Sequence, residues 1–215
     1  MRRLLFFLIP ICFPLTAQQD PEAKVILDRM AEKIKQYQSI QTDFSLIVFD
    51  HKEKQKNTSN GTVLIKGDKY KVTSAGTTVY FNGTTMWTYV ADDNEVTITE
   101  PDNLDDDFLS NPAKVFTFYE RDFKYMYRGE TTIDSVVMDE IDLFPRNLDQ
   151  PYSRFKVFIA KNTGQLAIFS AVGKDGVDYS VFLKNMLTNN VFPDAAFTFE
   201  PAKYKKINIV DMRGL

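Results

Sequence analysis

The sequence predicts a single, mostly β domain in which one opening helix and a later helical segment lie against a long antiparallel sheet. Apolar residues recur every three to four positions near the start of the chain and every two positions afterwards. Turn-forming residues separate the short alternating segments. The 215-residue chain has 18 Phe and 10 Tyr, and such large apolar side chains suit a sheet with an apolar face.

The first residues predict an export signal that is not part of the fold. Met1-Arg2-Arg3 is basic, residues 4–15 are almost wholly apolar, and Ala17 is a small residue before a polar run. This is the pattern of a cleaved secretory signal, and the apolar run is short for a membrane span. We therefore expect residues 1–19 to be removed and residues 20–215 to form one domain.

Cysteine content and charge exclude several classes of protein. The single cysteine, Cys12, lies in the export signal, so the remaining domain is predicted to have neither a disulfide nor a thiolate metal site. Ile9-Pro10-Ile11 precede Cys12 where a lipoprotein signal requires small residues, which disfavours lipidation. The net charge is −3 with basic residues scattered along the chain, so we expect no nucleic-acid partner.

An amphipathic helix is predicted directly after the signal. Asp20 can cap it, and Pro21 is tolerated in a first turn. Apolar residues follow at helical spacing, and charged residues fill the other face. The apolar positions are Ala23, Ile26, Leu27, Met30, Ile34 and Tyr37.

An antiparallel meander is predicted for most of the remaining chain. Asn60-Gly61 and Asn82-Gly83 are typical of hairpin turns. The predicted strands are 42–50, 62–66, 70–73, 77–81, 86–90, 96–99, 123–127, 132–143, 154–160, 166–172, 178–183, 197–199 and 207–210.

The stretch from 101 to 119 lacks the strand period. Asn111-Pro112 predicts the start of a short helix, because proline is favoured at a first helical position. Apolar residues around it, such as Leu109, Val115 and Phe116, need an apolar partner. We therefore predict a helical segment that lies over the open face of the sheet.

Candidate catalytic and metal-binding residues are few. His51 is the only histidine and is predicted to be a solvated loop residue, which leaves no zinc site or serine–histidine–aspartate triad. Asp105-Asp106-Asp107 could contact Ca²⁺, but adjacent carboxylates converge poorly, and a solvated acidic turn is favoured. We expect a protein that is not an enzyme and has no metal or cofactor.

The apolar strand faces admit two interpretations, a packed core or a ligand cavity. A long meander curls as it twists, and helices over a curved sheet often leave a cleft. Strand parity selects the candidate cavity residues, and an error of one residue would invert a strand. They are Phe44, Leu46, Val48, Leu64, Tyr70, Val79, Phe81, Trp87, Tyr89, Leu109, Val115, Phe116, Phe155, Val157 and Phe169.

A series of short motifs extends over essentially the whole chain after the signal. The motifs are Asp43-Phe44-Ser45, Gly61 to Lys66, Asn82 to Tyr89, Asn111 to Val115, Phe169-Ser170-Ala171-Val172 and Asp194 to Pro201. No single motif is specific, but in order and spacing the series resembles the periplasmic outer-membrane lipoprotein carrier family, LolA.

The resemblance implies a fold and a function. The fold class would be α+β, mostly β: an incomplete antiparallel β-barrel, or strongly curved sheet, with an N-terminal helix and a helical lid covering an apolar cavity. The function would be that of a monomeric periplasmic carrier. It would take acylated lipoproteins from an inner-membrane lipoprotein-releasing transporter to an outer-membrane receptor.

One stretch departs from the family pattern. Members of the family carry an R-P-x-x-F-x-W element after the glycine-led strand, and its arginine ties the lid by hydrogen bonds. Here the stretch is Lys66-Gly67-Asp68-Lys69-Tyr70-Lys71-Val72, which lacks that arginine, proline and tryptophan. The alternative is a lipid-binding or lipid-sensing module of the same fold that carries another lipid or binds a regulatory partner.

Overall fold

The protein consists of one α-helix and one large sheet in the residues that the structure, a computed structural model, describes, namely 20–101, 111–116 and 123–214. The helix α1 spans Pro21–Lys35. The strands are β1 (Ile40–Asp50), β2 (Gln55–Lys66), β3 (Lys69–Ser74), β4 (Thr77–Phe81), β5 (Met86–Val90), β6 (Glu95–Thr99), β7 (Phe123–Ile133), β8 (Val136–Pro145), β9 (Tyr152–Ala160), β10 (Gln165–Gly173), β11 (Val177–Thr188) and β12 (Asn208–Asp211). Among these residues, no helix is long and apolar enough to cross a membrane.

Helix α1 begins at the predicted cap. The Asp20 Oδ1 atom accepts hydrogen bonds from the backbone N–H groups of Glu22 (3.0 Å) and Ala23 (3.3 Å), which satisfies two of the N–H groups that a helix start leaves free. The predicted apolar stripe is confirmed, since Ala23, Leu27 and Met30 are buried. The stripe packs against the half of the sheet that contains β7 and β10.

Two meanders build the sheet, and one central pair of strands joins them. The order of strands is β12-β6-β5-β4-β3-β2-β1-β11-β10-β9-β8-β7. Strands β1 and β11 pair antiparallel from Ile40–Thr188 to Asp50–Val177, whereas β12 pairs parallel with β6. The sheet is strongly curved. It is not closed, because β7 and β12 are its two edges. The prediction of a mostly β, unclosed sheet is confirmed.

The inner face of the sheet is the face that packs against α1. Its fully buried core joins helix residues to alternate residues of the strands. Among the most buried are Leu27, Met30, Tyr70, Ile141, Leu143, Val157, Phe169 and Ala171.

A second, smaller cluster lies on the opposite, outer face, beneath the C-terminal segment (residues 189–211). The Phe199 ring contacts Tyr80 (5.9 Å between centroids) and Tyr89 (5.6 Å), and Tyr204 stacks on Phe199 at 4.7 Å. Val96 beneath them is fully buried. Burial is the main cause that raises the pKa of the Tyr80 hydroxyl, and a hydrogen bond with Tyr204 raises it further.

Two local predictions are wrong. Asn60-Gly61 lies inside β2, and the hairpin turn is at residues 51–54. A Cβ atom on Gly61 would lie 2.3 Å from the Thr73 carbonyl oxygen and 2.6 Å from the Phe44 ring, so this glycine permits a close approach and does not make a turn. The predicted strand 197–199 is also absent. This region instead contains two short 3-10 helices, Asp194–Phe197 and Pro201–Lys203.

Candidate functional site: the apolar inner face and its cleft

The inner face brings together most of the predicted cavity residues. Phe44, Leu46 and Val48 share one face of β1, because cross-strand partners continue without a break from Ile40–Ile65 to Asp50–Gln55. The others on this face, by shared strand parity or by packing in the same core, are Tyr70, Val79, Phe81, Val115, Phe116, Phe155, Val157 and Phe169. Leu109 lies outside the described residues.

Three predicted residues point the other way. Trp87 and Tyr89 alternate with Met86, which packs against the inner core, and Leu64 pairs with Lys71 on the outer face. The Tyr89 ring contacts Phe199 and Tyr204 of the C-terminal segment. Both faces of β5 carry apolar side chains, so alternation alone did not assign Trp87 and Tyr89 to a face. The structure places these two residues and Leu64 on the outer face, apart from the rest of the set.

Burial divides the inner face into two zones. Phe155, Val157 and Phe169 belong to the fully buried core, and the Phe155 and Phe169 rings stack with centroids 5.6 Å apart. In contrast, Leu46 and Val48 are only half-buried. Their neighbours on β11 are Val181 and Tyr179, which are half-buried as well.

A cleft of about 410 Å³ opens where β1 begins, next to the C-terminal end of α1. Its walls combine apolar side chains with a polar rim. The lining residues are Ile34, Tyr37, Gln38, Ser39, Ile40, Ile65, Gly67, Asp68, Phe81, Gly83, Asn111, Lys114 and Phe116. Pockets that hold small ligands have volumes of about 300–1,000 Å³, so the cleft falls within the size range of a binding site.

Sequence reasoning missed part of this wall. Ile34, Tyr37, Ile40 and Ile65 line the cleft but were not among the predicted cavity residues. The first two were recognised as apolar helix positions, so the helical period contained the signal. What the sequence could not supply was the position of the helix end above the turn between β2 and β3.

The described segment after Asn111 packs against the inner core. Pro112–Phe116 forms a 3-10 helix, and Val115 and Phe116 are buried in the inner core. Residues 108–110 and 117–119 of the predicted segment lie outside the described residues. The described part therefore forms one wall of the cleft.

The stretch that lacks the family arginine makes different contacts. The Lys66 Nζ atom donates to the Phe192 carbonyl oxygen (2.9 Å) and to Asp194 (3.0 Å), and Lys69 donates to Asp194 (2.7 Å). These lysines lower the pKa of Asp194 to about 2. Residues 66–69 thus fasten the C-terminal segment beside the cleft.

The Tyr70 hydroxyl belongs to a buried side chain of the inner core, whereas the His51 side chain is exposed. Burial alone raises the pKa of the Tyr70 hydroxyl to about 12, so it stays neutral at physiological pH. His51 lies in the β1–β2 turn with its side chain 54% exposed, and its Nε2 atom is 2.8 Å from Asp178 Oδ2. In the described part of the chain, no three His, Cys, Asp or Glu residues cluster to hold a metal ion.

Solved structures similar to this one cover most of the chain at low sequence identity. An uncharacterised conserved protein from Thermus thermophilus has a TM-score of 0.52 and 14% identity, covering 88% of this chain and 99% of its own. LprF from Mycobacterium bovis (TM-score 0.48, 14% identity) covers 82% and 98%. Lipoprotein LppX from Mycobacterium tuberculosis (0.47, 12%) covers 81% and 98%. No curated protein matches the sequence.

The sequence also matches the profile of a protein family. The profile described as outer membrane lipoprotein carrier protein LolA matches residues 13–140, which is more than half of the chain. The match includes α1, the meander β1–β6 and the Pro112–Phe116 segment. The chain belongs to the LolA family of outer membrane lipoprotein carrier proteins.

Proposed function

We propose that this protein is a periplasmic carrier that holds the acyl chains of lipoproteins against the inner face of its sheet and shuttles them from the inner to the outer membrane. Membership of a carrier family supports the role. An inner-membrane lipoprotein-releasing transporter and an outer-membrane receptor would be its partners. The basic and apolar stretch at 1–15 supports export to the periplasm.

The observation that carries the proposal is the half-buried apolar zone in the middle of the sheet. Strands β1 and β11 are interior strands of the sheet, the seventh and eighth in the strand order, and interior strands ordinarily bury their side chains. From Phe44 to Asp50 and from Val177 to Leu183, however, every residue is half-buried on both faces. An acyl chain laid along Phe44, Leu46 and Val48 would cover the apolar surface that the described protein leaves open.

The expected affinity is compatible with a carrier. Burial of each CH₂ group contributes about 0.8 kcal/mol. About ten buried groups would therefore contribute about 8 kcal/mol, a dissociation constant near 1 µM before the cost of ordering the chain. Such binding is tight enough to hold a lipid away from water and weak enough to release it to a receptor with higher affinity.

A paired substitution on β1 tests the proposal. The purified protein is mixed with a triacylated lipoprotein or with the same lipoprotein lacking its acyl chains, and complexes are separated by gel filtration. We expect only the acylated form to co-elute. Leu46→Gln, on the inner face, should abolish the complex, whereas Ile47→Gln, a half-buried neighbour on the outer face, should retain it. Binding of the delipidated protein, or equal loss in both variants, would contradict the proposal.

A second candidate function rests on residues 66–69. Their contacts run to Phe192 and Asp194 in the C-terminal segment, in a stretch where family members use an arginine to tie the lid. This favours a lipid-binding or sensing module whose cargo differs from that of the family. Native mass spectrometry after gentle purification separates the two, since a co-purified free lipid would favour this alternative over lipoprotein carriage.

A further inference from the structure

The outer face of β7–β9 carries a compact group of basic residues, which we call the basic patch. Its cations are Lys124, Arg128, Arg154 and Lys156, and its anions are Glu140 and Asp142. Cross-strand partners place these residues together, because Met126 lies opposite Asp142, and Asp142 lies opposite Lys156. The patch thus has two more positive than negative charges.

A buried carboxylate organises the patch. Asp142 is fully buried, and its Oδ2 atom lies 3.1 Å from Arg128 Nε and 3.2 Å from Arg154 Nη1. Two guanidinium groups therefore converge on one oxygen, and these contacts use only part of the five N–H donors that each group has. The side chains of Arg128 and Arg154 are 46% and 32% exposed, so both can contact a second anion.

An apolar side chain lies within the basic patch. Met126 is 45% exposed, between Lys124 and Arg128 on the same face of β7. The Arg128 Nη1 atom lies 3.2 Å from the Met126 sulfur, which holds the two side chains side by side. Methionine and arginine are both enriched in protein interfaces, where flexible apolar and bidentate polar contacts combine.

The basic patch stands out against the charge of the rest of the molecule. Residues 20–215 contain 24 Lys and Arg and 29 Asp and Glu, so the protein is acidic outside the patch. Charge complementarity at such a patch favours an anionic partner.

We propose that the basic patch is a docking surface for an acidic protein segment, with carboxylates on Arg128, Arg154 and Lys124 and an apolar side chain on Met126. An anionic membrane surface fits less well, because each basic residue near such a surface strengthens binding only about fivefold. A net of two charges gives about thirtyfold, which is weak for a whole protein.

The partner segment docks on the face of the sheet rather than extending its edge. The Tyr127 N–H group on the free side of β7 already donates to Asp20 Oδ2 at 2.9 Å. A bulge also interrupts the register between Tyr127 and Gly129. Both features oppose the addition of another strand, so the side chains of the patch make the contacts.

The test measures binding of a fluorescein-labelled peptide of alternating glutamate and leucine by anisotropy, with vesicles of phosphatidylglycerol and phosphatidylethanolamine as a second arm. We expect salt-sensitive peptide binding, reduced about tenfold by Lys124→Glu and by Arg128→Gln. The control Lys56→Glu, an exposed lysine on the outer face of β2, should leave the affinity within about twofold.

Circular dichroism melts establish that each variant is folded, and Lys124 is exposed enough for its substitution to be tolerated. Three outcomes would overturn the proposal. The peptide could fail to bind, the control could lose as much affinity as the patch variants, or vesicle binding could show the dependence on Lys124 that the peptide lacks. The lipoprotein-carrier assay is independent of all three, because Leu46 lies on the opposite face.

Discussion

The two strands that join the meanders, β1 and β11, differ from β9 and β10 in how they are covered. On β9 and β10, the inner-face residues Phe155, Val157, Phe169 and Ala171 are 5% exposed or less, and they share one core with residues of α1. On β1 and β11, the corresponding residues are half-buried. The β7–β10 half with α1 therefore contains most of the packed core, and under the proposed function β1 and β11 present an apolar surface to the acyl chain.

The largest expected effect tests the half with the packed core directly. Phe169→Ala removes a fully buried ring that stacks on Phe155 and should lower the free energy of unfolding by about 4 kcal/mol, through lost burial and a cavity. Leu46→Ala should cost only about 1 kcal/mol because Leu46 is half-buried. Urea unfolding measures both values, and equal losses would contradict this difference between the strands.

The outer face of the same half should depend on its buried carboxylate. Arg128→Ala combined with Arg154→Ala leaves the fully buried Asp142 charge without its two cations and should cost about 3 kcal/mol. Adding Asp142→Asn removes that charge and should recover part of the loss. A triple variant no more stable than the double variant would show that the loss is one of packing rather than charge.

A smaller effect is expected where α1 joins the edge of this half. Asp20 caps the helix through Oδ1 and accepts the Tyr127 N–H of β7 through Oδ2, so Asp20→Ala should cost about 2 kcal/mol in thermal or chemical unfolding. Asp28→Ala is the matched control, because the Asp28 carboxylate pairs with the exposed Lys24 on the solvent side of α1. Equal losses in the two variants would argue against the double role of Asp20.

The smallest effect is expected when acid protonates Asp194, which pairs with Lys66 and Lys69 in the other half of the sheet. The pKa of Asp194 falls from 3.8 to about 2 because Lys69 and Lys66 bind its carboxylate. The contacts are therefore complete above a pH of about 4 and are lost as the pH falls through about 2. Fluorescence of Trp87, the only tryptophan, reports on the C-terminal segment, since its cross-strand partner Tyr80 contacts Phe199.

In Asp194→Asn the acid-induced change in fluorescence should be smaller and should start from a partly loosened state at neutral pH. Asp211, whose pKa is also about 2 because of Arg213, titrates in the same window, so the difference between the variant and the parent protein isolates Asp194. An unchanged acid profile would contradict a role of Asp194 in holding the segment.

The sequence predicted those features that neighbouring residues determine. The start of α1 followed from Asp20 and Pro21, and most strands followed from their period of two. Features that depend on distant parts of the chain were not predictable in this way. Gly61 resembles a turn residue until Phe44 and Thr73 are seen against it. The convergence of Arg128 and Arg154 on Asp142 requires three strands to be in register.

The face of β5 shows the same limit for the candidate site. Met86 and Trp87 are both large and apolar, so alternation alone did not distinguish the inner side from the outer. The distant C-terminal segment determines which face of β5 is the outer one, because Phe199 and Tyr204 cover that face. Sequence reasoning was more successful in β1, where Asp43 and Ser45 alternate with Thr42 and Phe44.

The pairing of β1 with β11 has a consequence for the folding of the chain. Each meander consists of hairpins between neighbouring segments, but the pair that joins them links residues 40–50 with 177–188. Closing so long a loop carries an entropic cost that local hairpins avoid, and sheets with such distant contacts fold slowly. We expect the two meanders to form early and their junction late, so a nascent chain would expose the unpaired N–H and C=O groups along the edge of β1 until β11 has been released.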